Sequence, residues 1–177
     1  LTATVVRHVG DPAPVLAARI EEAHERALRT AVPTVVGRTL CSLATLRLSQ
    51  HRWADARVLA EEALAVMRNL GHVFYVDVDP RLALSFARFA LGDIPGARDA
   101  AYEAMRNAFA SGARLGQIDT LSALGRLLVR YGTLAEIGRG VNMLRHGLAL
   151  ARQCRARSRE PFLWLDLAGL DRRGGNE

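Results

Sequence analysis

The chain has 177 residues, half of them apolar and only 6 % aromatic, and 24 basic residues against 18 acidic ones give a net charge of +6. That is enough apolar side chain for one sizeable core packed by Ala and Leu, while charges interrupt every apolar stretch before the ~18 residues a membrane span needs. Two cysteines far apart in sequence, Cys41 and Cys154, argue against a disulfide framework, no signal segment opens the sequence, and a cytoplasmic location is expected.

Residues 1–11 form an N-terminal segment. Asp11 and Pro12 read as the N-cap and first residue of a lone helix over 12–30. Pro33 breaks the chain, and 34–70 reads as a helical hairpin, 34–49 and 53–70, closed by Gly71 as a C-terminal cap. Residues 72–78 are apolar and partly β-branched, and Asp79-Pro80 looks like a fresh helix start. A second hairpin over 73–112 therefore opens either as a helix kinked at Pro80 or with a long apolar loop. Asp93 caps its second helix, with Pro95 in the first turn. A third hairpin covers 115–153, and Thr133-Leu134-Ala135-Glu136 has capping-box spacing. A terminal helix over 160–170 and a disordered tail over 171–177 complete a single domain spanning 12–170.

These elements repeat. Glu21-Glu22-Ala23 returns as Glu61-Glu62-Ala63, and each second helix carries small or apolar residues at i, i+4 and i+7. The sets are Leu16, Ile20, Ala23; Ala56, Ala60, Ala63; Ala97, Ala101, Ala104; and Ile137, Val141, Leu144, starting 40, 41 and 40 residues apart. That spacing falls on one helical face, where small residues let a neighbouring helix approach closely. A period between 20 and 50 residues marks units that bury their apolar faces by stacking.

The first helices carry Leu43-Ala44, Leu84-Ser85 and Leu124-Gly125, followed by turns at Gln50-His51, Gly92-Asp93 and Gly132-Thr133. With Trp53 and Ala56, Ile94 and Ala97, and Leu134 and Ile137 beyond those turns, the pattern resembles the tetratricopeptide family. The resemblance covers about residues 12 to 170. It departs in two ways: the period exceeds the family's usual 34 residues or so, and the proline that often closes each unit is missing. Longer units of this kind are similar to the repeat arms of bacterial LuxR-type and maltose-regulator-like transcription regulators. The resemblance implies an all-α, right-handed superhelical solenoid of stacked antiparallel hairpins, acting as a non-enzymatic module for protein interaction or ligand sensing.

The motifs of catalysis are not found. The five histidines show no metal-ligand spacing, neither cysteine sits in a Cys-x-x-Cys pair, and there is no Walker loop, dinucleotide turn or nucleophile elbow. No cofactor is expected. His72, Asp77 and Asp79 are the nearest approach to a reactive cluster, and a loop histidine beside a helix-capping aspartate explains them as well. Direct nucleic-acid binding is not expected either. The residue after the Gly92 turn is Asp93, where a helix-turn-helix needs an apolar contact. Every basic residue is Arg, interspersed with acids except at Arg152, Arg155, Arg157 and Arg159.

In the family's arrangement the first helices line a concave groove. Carried onto this chain, the groove residues are Arg38, Cys41, Thr45 and Leu48, then Leu82, Phe86 and Phe89, then Ser122, Arg126, Val129 and Arg130. Two rings flanked by guanidinium groups suit an acidic amphipathic peptide, a peptide carboxylate or an acidic small molecule. The same rings fit a buried core equally well. A small-molecule or enzymatic pocket around this groove and residues 72–79 is the alternative reading, and the open ends of the array suggest a homodimer.

Overall fold

The computed structural model describes residues 14–68 and 78–174. Among these the chain is entirely helical: α1 (Pro14–Thr30), α2 (Pro33–Ser49), α3 (Trp53–Arg68), α4 (Val78–Ala90), α5 (Ile94–Ala110), α6 (Arg114–Tyr131), α7 (Leu134–Gln153) and α8 (Glu160–Gly174). No helix among them is long and apolar enough to cross a membrane. The expected segment 1–11, the start of the lone helix at residue 12, the Gly71 cap, and His72 and Asp77 lie outside the described residues. Described helix in the second hairpin begins at Val78, and Pro80 is fully buried in its first turn, where a missing N–H costs nothing. α8 extends to Gly174, past the expected end at residue 170, so residues 171–174 continue the helix instead of starting a disordered tail.

The helix ends follow from local chemistry. Asp93 Oδ1 accepts the Gly96 N–H at 2.9 Å, capping α5. Thr133 and Glu136 form the reciprocal capping box at the start of α7. Four helices stop with the same double wrap, in which an N–H just beyond the helix reaches back five residues: Arg52 to Arg47 O, Asp93 to Arg88 O, Ala113 to Ala108 O and Ala156 to Ala151 O. That closure puts the preceding residue in the left-handed region, at His51 (φ 57°), Gly92 (84°), Gly112 (68°) and Arg155 (54°).

By contact the chain divides into two compact units, Leu1–Ala104 and Met105–Glu177, with the boundary inside α5. In the first unit α2 packs on α1 and α3, and α4 packs on α3 and α2. Its core contains Ala44, Ala60, Leu64, Ala83, Leu84 and Ala100, with Leu48 and Leu59 at the margin. The two alanine seams read from the sequence are closed: Ala56, Ala60, Ala63, Ala97, Ala101 and Ala104 are all fully buried. The equivalent set on α1 is not, since Leu16 is 47 % exposed and Ala23 is exposed.

The repeated Glu-Glu-Ala motif has a structural counterpart. Glu21 on α1 pairs with Arg47 on α2 at 2.8 Å, and Glu61 on α3 pairs with Arg88 on α4 at 3.4 Å. The same acid therefore clips α1 to α2 and α3 to α4. Inside the second hairpin Arg81 pairs with Glu103, and the Ser85 hydroxyl donates to Ala97 O at 2.8 Å.

In the second unit α6 and α7 form the hairpin and α8 packs on both. The core gathers Ile118, Leu121, Val129, Leu144, Leu148, Leu150, Ala151 and Leu163. Here the helices touch through glycine. A Cβ on Gly125 would stand 2.9 Å from Leu144 Cγ, and one on Gly140 would stand 2.7 Å from Gly125 O. Leu144 is fully buried and occupies the repeat position that Ala63 and Ala104 hold in the earlier units.

Candidate functional sites on the first helices

The expected groove residues divide between the two units. In the first, Arg38 is exposed near the start of α2, and Cys41, one turn on, is half-buried. Burial pushes the Cys41 thiol well above its ordinary range, and the Asp79 carboxylate at the start of α4 pushes it further the same way. That coupling marks where α2 and α4 come together. Thr45 is buried, its hydroxyl donating to Cys41 O at 3.0 Å, and Leu48 lies against the core.

On α4, Phe86 and Phe89 are each half-buried. Leu82 does not belong to an open face. It is 1 % exposed, in a run of buried residues from Leu82 to Ser85, because α4 is covered by both α3 and α2. Of the middle set, then, the two rings remain accessible and the leucine serves the core.

The thiol environment has a direct consequence. With Cys41 held protonated and half-covered, while Cys154 is exposed at the end of α7, alkylation at pH 8 should modify Cys154 first. Cys41 is expected to react at least about tenfold more slowly. Equal rates by mass spectrometry would show that the α2–α4 face opens more readily than its packing implies.

In the second unit Ser122 and Arg126 converge on one carboxylate. Asp166, on α8, accepts the Ser122 hydroxyl at 3.2 Å and Arg126 Nη2 at 2.6 Å. Arg126 is therefore a paired cation and not an open edge of a groove, although its Nε is buried without a hydrogen-bond partner. Two turns earlier on α6, Asp119 receives a two-pronged hydrogen bond from Arg159, at 2.8 and 3.0 Å. Val129 is buried and Arg130 exposed.

Asp119 and Asp166 were not picked out by sequence reasoning, and Arg159 only as one of the arginine run. The signal was available: both pairs join opposite charges 40 residues apart, one repeat period. Counted by the period, Arg159 and Asp166 therefore align with Asp119 and Arg126 of α6, the residues they pair with. The arginine run also disperses. Arg159 belongs to this pair, Arg152 stands 5.5 Å over the half-exposed Trp164 ring and 3.6 Å from Glu160, and Arg155 and Arg157 are exposed.

Among the described residues no three His, Cys, Asp or Glu side chains gather where they could hold a metal ion. Compared with known proteins, the chain matches no family model, and no curated protein matches it.

Proposed function

We propose that this chain is a tetratricopeptide-like repeat module that recognises a protein or peptide partner through its first helices, without catalysing a reaction, as an arm of a bacterial transcription regulator. The observation that carries the reading is the complete burial of the two alanine seams on the second helices. The first helices are the more heavily buried of each pair, and the side chains they keep accessible are few. On α2 and α4 these are an arginine, a thiol and two half-buried rings. The continuation of the hairpins as a right-handed solenoid rests on the period near 40 residues. Rings on α4 and a guanidinium group on the neighbouring α2 favour a partner that combines an apolar residue with a carboxylate, because each half satisfies a different part of the surface.

Panning a displayed peptide library on the intact chain tests this. Selection should enrich sequences that pair an aromatic or leucine with Asp or Glu. Phe86→Ala should weaken the selected peptides at least about tenfold, the loss expected on truncating a central aromatic contact, with helicity retained. No enrichment, or peptides that bind Phe86→Ala equally well, would remove the α4 face from the function.

A further inference from the structure

We infer that α8 is a built-in occupant of the partner-binding face of α6, and that this face takes a helix carrying a basic residue, a leucine four positions on and a carboxylate seven positions on. The inference rests on the reading that first helices present binding faces, and it adds the chemistry of the partner for one of them.

Arg159, Leu163 and Asp166 are spaced i, i+4, i+7: Leu163 and Asp166 stand on α8, and Arg159 is the residue immediately before it, whose carbonyl accepts the Leu163 N–H at 3.4 Å. Each meets a matching feature of the hairpin below. Arg159 forks onto Asp119, and Asp166 takes the donors of Ser122 and Arg126. Leu163, 1 % exposed, joins the core cluster with Ile118, Leu121 and Leu148, and its Cδ2 would be 3.2 Å from a Cβ on Gly147. A missing side chain on α7 thus makes the seat for the leucine. The two charge pairs have opposite polarity, so a helix fits in one direction only, because reversing it would set like charges against each other.

The rest of α8 is lightly held. Leu163 is the one buried side chain among residues 160–168, and Trp164 and Leu165 are 50 % and 59 % exposed. Trp164-Leu165 stands one period after Leu124-Gly125, a buried pair on α6 whose glycine lies against α7. By the period α8 thus corresponds to a first helix, without the packing that fixes one. Those three side chains act with Leu167 at the core margin, the Arg152 contacts to Glu160 and Trp164 and a short connection from α7 to keep it in place, and a partner helix with the same three residues can replace it by exchange.

The probe is a fluorescein-labelled peptide of residues 156–174, titrated by anisotropy into the intact chain and into the full-length variant Arg159→Ala/Asp166→Asn. In the wild-type chain the tethered copy competes at an effective concentration of about millimolar. The variant should therefore bind the peptide at least about tenfold more tightly, and a peptide carrying the same two substitutions should bind neither protein. Equal affinity for both proteins, or binding indifferent to the peptide substitutions, overturns the inference.

Hydrogen exchange on the wild-type chain decides the matter should the variant fail to fold. Amides of α8 are expected to exchange at least about tenfold faster than those of α6 and α7, whereas protection equal to that of α7 rules out replacement. Failure of the library selection at Phe86 with success here would sink the α4 reading alone, and the reverse pattern would sink this one alone.

Discussion

Leu144→Ala should lower the unfolding free energy by about 2–5 kcal/mol, seen as a lower urea midpoint at unchanged slope. The size of the effect comes from what faces the side chain. In the first hairpin the equivalent positions hold Ala44 and Ala63, both small and both fully buried. In the third, Gly125 has lost its side chain and Leu144 has grown into the space, with Cγ 2.9 Å from where a Gly125 Cβ would be. Cutting Leu144 back leaves a void that Gly125 cannot fill.

Gly125→Ala alone should also destabilise, by about 1–3 kcal/mol of overpacking, since its new methyl would meet Leu144. The double variant restores the alanine pair of the first hairpin. It should recover at least about 1 kcal/mol relative to the sum of the single effects. Simple additivity would mean that the two positions are not matched in size.

Gly140→Ala and Gly138→Ala should move stability in opposite directions, although both put the better helix former into α7. Replacing a helical glycine by alanine gains about 1 kcal/mol where nothing interferes. Gly138 is such a place, with nothing within 4 Å of where a Cβ would stand, so Gly138→Ala should raise the midpoint. At Gly140 the added carbon would lie 2.7 Å from Gly125 O, 2.9 Å from Val129 Cγ2 and 3.0 Å from Leu128 Cβ. The nearest of these is backbone, which cannot swing aside, so α6 and α7 must separate. Overpacking of about 1–3 kcal/mol should exceed the propensity gain. Thermal unfolding of the two variants side by side measures the difference, and a stabilised Gly140→Ala would show that the two helices do not depend on their glycine contact.

What the sequence made legible was whatever depends on one helix at a time. Ala56, Ala60 and Ala63 announce their face through spacing alone, and Asp93, Thr133 and Glu136 announce their caps through position next to a turn. The burial of Leu82 was not legible. α4 is covered by two neighbours, and a helix buried on two sides has no clean polar stripe from which to read its open face. α6 is the stronger case, buried almost continuously from Gln117 to Val129 and interrupted by Asp119 and Arg126.

Those two interruptions are the informative residues of the candidate site. An acid and a base inside an apolar run must be answered from another element, and the answers, Arg159 and Asp166, lay one period away. Reading them needs the alignment of one repeat on the next, applied to charges as well as to alanines. The set Leu16, Ile20 and Ala23 illustrates the opposite error, since it shares the pattern of the buried seams and remains largely open. Spacing identifies a face able to pack, and the presence of a neighbour decides whether it does.

The placement of Arg152 over Trp164 gives the molecule an optical reporter of its own last helix. The chain has two tryptophans, and the other, Trp53, sits at the start of α3 with its ring 4.9 Å from that of His51. In a Trp53→Phe background all indole emission would come from α8. A cation close to an indole ring perturbs its excited state, and the half-exposed ring already samples solvent. Any event that lifts α8 from α7 would then register as a change in colour and quenching, without a label attached to the protein.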